Sequence, residues 1–417
     1  MKTISHNVSH LLNCYGCGIC AIICPKNIIT VRLNQDGFYQ PLVCDDHSCT
    51  QCGLCLSVCA YSSDRLLDVD NCEVTGYAAW SNNPLIRHKC SSGGLSFELG
   101  AHLINQGYKA CGVKYDPSAG RAEHFIATDV DTYALSIGSK YIQSYTLPGF
   151  SQLNRNEKFF VTGTPCQIDS LRRYIRKYKV EHNYVLMDFF CHGVPSMNLW
   201  RKYTAMIECQ IGHISFASWR NKQAGWHDSW AMGIDGAQPS RHRGSGAGTF
   251  ELESKAEDYE YFSPKKNGDL FYSFFLDNTC LGKACYDNCK YKVNKSAADI
   301  RVGDLWGQKY NQHDEGVSGV LALTDRGRDV IAQLTSCTIL AEDVAIVAAG
   351  QMKLSPLMPF ARKYLLRLFA TRLTLRATYR LYQLYLLPAR LFNRALITAR
   401  RMVIPNALKP LTSFTKK

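Results

Sequence analysis

The sequence predicts an α/β fold for the centre of this 417-residue chain, with a small cysteine-rich unit ahead of it and a basic helical segment behind. Three observations predict it. The chain is dense in Cys and Gly up to about Cys72; from Tyr77 short apolar runs alternate with helical patterns; and after Ala345 a stretch rich in Leu, Tyr and Arg carries no acid. The length exceeds what one hydrophobic core usually organises, so several units are expected, divided as 1–75, 76–155, 156–345 and 346–417.

In residues 1–75 few apolar runs are long enough for a helix, so folding there is expected to come from bound metal. Nineteen cysteines would also suit a disulfide-rich secreted protein, but such scaffolds are short and follow a signal peptide. The start, MKTISHNVSHLLNC, has no apolar core of that kind, and no uncharged apolar run approaches roughly eighteen residues. A cytoplasmic protein with reduced thiols is the expectation. Cys14, Cys17, Cys20 and Cys24, followed by Pro25, form a C-x2-C-x2-C-x3-C-P run, and Cys49, Cys52, Cys55 and Cys59 repeat the spacing. Three thiolates at that interval curl around one cubane, while the fourth points to its neighbour. Two 4Fe-4S clusters follow, one on Cys14, Cys17, Cys20 and Cys59, the other on Cys49, Cys52, Cys55 and Cys24. Gly16, Gly18 and Gly53 let the backbone pass close to the sulfides. Zinc is the competing reading, but zinc ribbons use paired C-x2-C units. Cys44 and Cys72 are read as non-ligands. The doublet resembles the bacterial dicluster ferredoxin domain, with Ala60 where the second motif usually has proline.

In the central region, Ala110 to Val113, Phe159 to Thr162 and Tyr184 to Phe190 read as buried strands. Leu95 to Gln106 reads as a helix, opened by Ser91, Ser92, Gly93 and Gly94 and closed by Gly107. A second helix, Gln167 to Tyr178, follows Thr164, Pro165 and Cys166 directly. Asp235 to Thr249, rich in Gly, Ser and Arg, reads as a surface connection. Cys166 and Cys191 end two of the apolar strands, and α/β proteins place their sites at strand ends. Cys280, Cys285 and Cys289 follow within CLGKACYDNCKYK. Singly each suits a small buried hydrophobe; together, in a chain already carrying cluster motifs, they predict a third cluster.

At these residues the chain resembles the beta subunit of coenzyme F-420 (deazaflavin) hydrogenases and dehydrogenases. The stretches are KCSSGGLSFELGAHLINQGY at 89–108, GSKYIQS at 138–144, TGTPCQIDSLRRY at 162–174, FFCHGVPS at 189–196 and CKYKVNKSAADIRVGDLWG at 289–307. The resemblance implies a mixed-sheet flavoprotein core binding FAD, with a 4Fe-4S cluster on Cys166, Cys191, Cys285 and Cys289. Relatives commonly show C-x4-C-x2-C in the last motif, so Cys280 competes with Cys285. Ser91 to Gly94 open a helix whose free N–H groups and dipole suit a phosphate or a reduced flavin; tight capping against a strand is the alternative. Thr164 and Pro165 join the cofactor-binding set. Lys140 would neutralise flavin charge, or else stand solvated. His192 is the candidate proton donor. Trp219, Arg220, Asn221, Lys222, Gly225 and Trp226 read either as the lining of a planar-substrate pocket or as a twisted strand and turn with exposed aromatics. Asp304 and Trp306 match the family without an assigned role.

Net charge is +13, but fourteen of the 48 basic residues and none of the 35 acidic ones lie from Ala345 onward, leaving the body neutral. Arg372, Arg376 and Arg380 share a helical face, Leu373, Leu384, Tyr385 and Leu391 occupy others, and Pro388 and Pro405 interrupt. This suits peripheral contact with an anionic inner-membrane face, or packing on the body; the many leucines argue against nucleic acid. The function expected is an oxidoreductase. Electrons enter from a donor such as ferredoxin or a reduced deazaflavin, cross the clusters to FAD, and reach an unknown organic substrate, with surface-polysaccharide synthesis as a context. A non-catalytic electron-transfer subunit is the rival; intact cysteine sets argue against a mere scaffold.

Overall fold

The N-terminal unit is assembled from short pieces, as the scarcity of apolar runs requires. The computed structural model describes residues 6–69, 73–237, 259–287 and 289–388. A helix at Ile19–Ile23, a hairpin of β1 (Ile29–Leu33) and β2 (Tyr39–Val43), and a helix at Leu54–Ser57 make up the unit. Both helices begin on a glycine in the left-handed region, Gly18 at φ 75° and Gly53 at φ 69°. Each glycine follows the second cysteine of its motif, where the chain reverses sharply, and glycine does this without a side-chain clash. Cys72 lies outside the described residues.

The body is a mixed sheet. Its strands are β3 (Thr75–Ser81), β4 (Lys109–Asp116), β5 (Arg121–Ala127), β6 (Ser144–Tyr145), β7 (Phe159–Thr162) and β8 (Tyr184–Phe189), then β12 (Ile300–Asp304), β13 (Ser318–Ala322) and β14 (Cys337–Glu342). Among the described residues they run in the order β14-β3-β13-β12-β8-β7-β4-β5-β6. The centre, β12-β8-β7-β4, is parallel throughout, and the flanking pairs are mostly antiparallel. Crossover helices force that parallel centre, because parallel neighbours cannot be joined by a tight turn.

Alternation along the strands sends residues to two cores. Phe159 and Val161 of β7, with Tyr184 and Leu186 of β8, face one side, against Ile168, Leu171 and Ile175 of the helix Pro165–Lys177. Phe160, Val185 and Met187 face the other, against Leu95, Leu99 and Leu103 of the helix Leu95–Asn105. The first core also takes Val8, Ile19, Ile23 and Val31 from the N-terminal unit. A third core lies beyond the sheet's edge. There a small antiparallel sheet of β9 (Ile214–Ser218), β10 (Ala231–Gly236) and β11 (Tyr261–Pro264) packs with helices Met197–Ile211, Leu270–Phe275 and Arg362–Phe369. The expected 235–249 connection begins in β10 and otherwise falls mostly outside the described residues. The mixed α/β body, ferredoxin-like N-terminal region and C-terminal helices match the architecture expected from sequence, except that Arg372 precedes the helical stretch, which begins at 375.

Candidate metal centres

Cysteines gather at three cavities. Cys24, Cys49, Cys52 and Cys55 line one of about 20 Å³. Cys14, Cys17, Cys20 and Cys59 line a second of about 20 Å³. Cys166, Cys191, Cys285 and Cys289 line a third of about 60 Å³. The exchange of the fourth cysteine between the first two follows from local structure. Cys20 sits at the start of Ile19–Ile23 and Cys24 just past its end, so the short helix delivers the two thiols at its opposite ends. Gly16 N–H points at Cys14 Sγ at 3.4 Å, the kind of amide that tunes a bound sulfur.

The third set is placed by topology. β7 and β8 are adjacent and parallel, so their C-terminal ends open on one edge. Thr164, capping the helix that follows β7, sets Cys166 in its first turn, with Thr164 Oγ1 3.2 Å from the Cys166 sulfur. Cys191 stands just past β8. Cys285 lies on the helix Lys283–Asp287 and Cys289 just beyond it. A bridge between Pro195 and Leu281, with Gly282 N–H donating to Val194 O at 2.9 Å, joins these loops.

The N-terminal unit is bolted to this edge. Gln143, buried, donates from Nε2 to Gly37 O at 2.8 Å and Pro195 O at 3.0 Å, and accepts from Tyr39 N–H at 3.1 Å. Thr146 Oγ1 donates to Cys17 O at 3.0 Å, and Lys290 Nζ to the carbonyls of Ala60 at 2.8 Å and Ser63 at 2.5 Å. Tyr15, between the second and third cavities, meets Tyr291 edge-on at 5.8 Å, and Tyr291 donates to buried Asp169 at 2.8 Å. Cys14, Tyr15 and Gly16 line both cavities.

Burial pushes the Cys14 thiol up to about 12 and Cys17 to about 11; neighbouring cysteines add to both. Burial raises Cys191 to about 12 and Cys166 well above the usual thiol range, with Cys191, Cys285 and Cys289 adding to the latter. Exposed Cys52 is pulled down by the Leu54 N–H. Crowded buried thiols of this kind favour a cation that takes their protons' place. The third cavity's lining holds Lys283 and Lys292 and no carboxylate, which suits an anionic, thiolate-rich group. Among the described residues no group of three or more His, Cys, Asp or Glu stands close enough to hold a single metal ion. A cubane spreads four thiolates over separate irons around a cavity, and each set lines one.

Other expected site residues divide. Thr164 and Pro165 line the third cavity. Cys280 does not; it is fully buried in the third core, leaving Cys285 with the other three. His192 turns away from the cavity its neighbours line: its ring lies 4.8 Å from Phe275, its buried Nε2 has no hydrogen-bond partner, and burial lowers it to about 4. That position does not deliver a proton into the cavity. Ser91 Oγ accepts from Ser139 N–H at 2.8 Å, and Ser92 Oγ donates to Val317 O at 2.9 Å. A Cβ on Gly93 would fall 2.4 Å from Ala79 O. Lys140 Nζ donates to the carbonyls of Ser136 at 3.0 Å and Ile137 at 2.9 Å, closing a helical turn. These side chains are hydrogen-bonded within the chain, and Gly93 packs tightly against β3. Trp219 to Lys222 and Trp226 lie in the connection from β9 to β10, as a strand and turn would place them, but are buried, so the aromatics of that stretch are packed and not exposed. Arg220 pairs with Asp304, and Trp226 stacks on Trp306 at 4.8 Å. Sequence reasoning missed Gln143, Tyr15 and Lys290. Gln143 and Lys290 lay inside the quoted family stretches, and Tyr15 directly follows a motif cysteine.

Residues 156–345 match the family model for the C terminus of the beta subunit of coenzyme F-420 hydrogenase/dehydrogenase, and residues 13–63 match that of the 4Fe-4S dicluster domain. No curated protein matches the chain. A solved structure that matches is the F-420-reducing NiFe hydrogenase complex from Methanosarcina barkeri, studied by xenon derivatization. It aligns at 15% identity and a TM-score of 0.41, over 76% of this chain and 92% of that one.

Proposed function

We propose that this chain, which joins a 4Fe-4S dicluster domain to the C-terminal domain of the coenzyme F-420 hydrogenase/dehydrogenase beta-subunit family, is an iron-sulfur relay of three cubanes in series. The observation that carries the reading is the row of three four-cysteine cavities, the second and third sharing Cys14, Tyr15 and Gly16. Electrons enter at the cluster of Cys24, Cys49, Cys52 and Cys55, where Cys52 is exposed. They pass to the cluster of Cys14, Cys17, Cys20 and Cys59, and then to one held by Cys166, Cys191, Cys285 and Cys289. The protein's own part is to fix these sites on one rigid edge, keep carboxylates out of the third, and present Lys283 and Lys292 to its charge. The Ser91, Ser92 and Lys140 side chains, expected to serve the FAD that the family resemblance implies, are instead bonded within the chain. The relay therefore ends at the third cluster and hands single electrons to an acceptor at that cavity. The unit is then an oxidoreductase component that feeds a partner.

The test is iron, sulfide and flavin analysis of protein purified without oxygen. About twelve iron atoms per chain are expected, falling to about eight in Cys191→Ala and Cys285→Ser but unchanged in Cys280→Ser. About eight in the unsubstituted protein overturns the third cluster, and a Cys280→Ser loss overturns its ligand set. Stoichiometric flavin overturns the assignment of the terminus.

A further inference from the structure

The segment after the body has two unlike faces. One is packed: Leu365, Leu366, Leu368, Phe369, Leu375 and Tyr382 are buried in the third core, with Phe274 5.2 Å from Phe369. The other is bare. Leu354 is 79% exposed, Leu357 92%, Phe360 68% and Leu384 63%. Ring contacts between Phe360 and Tyr385 at 6.1 Å, and between Tyr364 and Tyr385 at 4.3 Å, bring the 354–360 segment against the helical stretch 375–388, making one apolar face. Large apolar side chains exposed together mark an interaction surface.

Charge selects the partner. Lys353, Lys363, Arg367, Arg372, Arg376 and Arg380 are exposed around this face, and no Asp or Glu occurs after Asp343. Residues 389–417 add seven basic residues in sequence. A leucine-rich patch on a segment whose charges are all positive complements a surface that is apolar a few ångströms down and negative at its rim. A bilayer containing anionic lipid has both properties, while a protein partner would have to supply a broad acidic collar. We infer that this face seats the protein on an anionic membrane, with Leu357 and Phe360 entering the headgroup boundary and the arginines engaging phosphates. Ser355 Oγ donates to Cys289 O at 3.4 Å, so the docked face adjoins the third cavity and holds that cavity's edge beside the lipid. The inference does not depend on how many clusters the protein holds.

The experiment is flotation of the full-length protein with vesicles of phosphatidylcholine alone and of phosphatidylcholine containing about a third phosphatidylglycerol. Recovery with the anionic vesicles is expected to be about tenfold higher, and to collapse in roughly 0.5 M salt. A Leu357→Asp, Phe360→Asp variant is expected to lose about tenfold in recovery with its cluster absorbance intact, since both side chains are exposed and their loss removes no core. Equal recovery with neutral and anionic vesicles, or equal flotation of variant and unsubstituted protein, overturns the inference. So does conversion of an oligomer to a monomer by the variant in sedimentation, which would give the face to a second copy.

Discussion

Asp188 and Arg301 offer the sharpest test of how the third site is held. They face each other in register on β8 and β12, both fully buried, with Arg301 Nε and Nη2 donating to the two carboxylate oxygens at 2.7 Å each. Arg301 Nη1 donates to Tyr291 O at 3.0 Å and Val293 O at 2.6 Å, and Ser296 Oγ donates to Asp188 at 2.6 Å. Asp188 lies just before Cys191 and Tyr291 just after Cys289, so one guanidinium ties both cysteine loops together. It also holds Val293 at φ 58°, a region a β-branched residue enters only under constraint. Arg301→Met leaves a buried carboxylate without its cation, costing about 3–5 kcal/mol, and orphans two carbonyls at about 1 kcal/mol or more each. At about 2–4 °C per kcal/mol, a loss of about 5–7 kcal/mol should lower the thermal midpoint by roughly 10–28 °C. Adding Asp188→Leu removes the stranded charge and should recover several kcal/mol, because apolar replacement of a buried pair is far milder than breaking it. The orphaned carbonyls remain. Stability and metal should therefore separate: the double variant regains much of its midpoint while still losing about four iron atoms. Circular dichroism melts and iron analysis on the same anaerobic samples measure both. A single variant melting within about 2 °C of the unsubstituted protein, with full iron, would refute the reasoning.

Three further outcomes follow from the same structure. Gly18→Ala places a Cβ 2.5 Å from Thr146 Oγ1 at φ +75°, and should displace the bolt on Cys17 O and cost the second cavity its iron; elemental analysis showing no loss would count against this role. Gln143→Leu leaves Pro195 O and Tyr39 N–H unpaired at about 1–3 kcal/mol, while Gly37 O keeps only the Met197 N–H, and should speed exchange of the Tyr39 amide, read by hydrogen exchange. His124 is fully buried and lowered by burial from 6.5 to about 4, so between those values the unfolded chain binds the extra proton. Stability should fall as pH drops from about 6.5 to about 4 by roughly 3 kcal/mol from this group, then level off; His124→Gln should flatten that part of a urea-unfolding series.

The cysteine groupings of the N-terminal unit were legible because they depend on spacing within a few residues, and a one-turn helix has few ways to place its flanking thiols. The third grouping needed more. That Cys166 and Cys191 share an edge follows from β7 and β8 being parallel neighbours, which the apolar runs suggested without fixing. Choosing Cys285 over Cys280 required burial: Cys280 donates nothing to the cavity because its loop turns inward where Ser196 N–H meets its carbonyl at 3.0 Å. Ser91 to Gly94 carried two readings for a physical reason. A glycine pair before a helix serves a phosphate or a packed corner equally well, and only β3 and β13, illegible as neighbours in the sequence, decide. A Cβ on Gly93 would fall 2.4 Å from Ala79 O and 2.6 Å from Ser318 N, so a glycine is needed there for packing alone. Likewise Trp219 and Trp226 read as a surface stretch because their charged neighbours Arg220 and Lys222 suggested solvent. Arg220 finds Asp304 instead, and Lys222 caps the carbonyls of Arg87, Ser92 and Glu315.

The division at about residue 75 also changes meaning in three dimensions. A free ferredoxin closes its own small core, whereas here Ile19, Ile23 and Val31 share one core with Phe159, Ile168 and Leu171 of the sheet and its helix. The junction is also polar and specific, with Lys290, one residue past Cys289, reaching back to the carbonyls of Ala60 and Ser63. Removing residues 1–75 would therefore uncover apolar surface and strand an ammonium, so the unit is expected to be inseparable from the body. For a relay this has a kinetic consequence. A detachable donor must diffuse, orient and dock before each transfer, and orientation alone lowers association far below the diffusion limit. Here the second and third sites keep Cys14, Tyr15 and Gly16 in common at all times, so that step is absent inside the chain. On the relay proposed above, the encounters that remain would lie at its two ends, at exposed Cys52 and at the cavity beside Cys289.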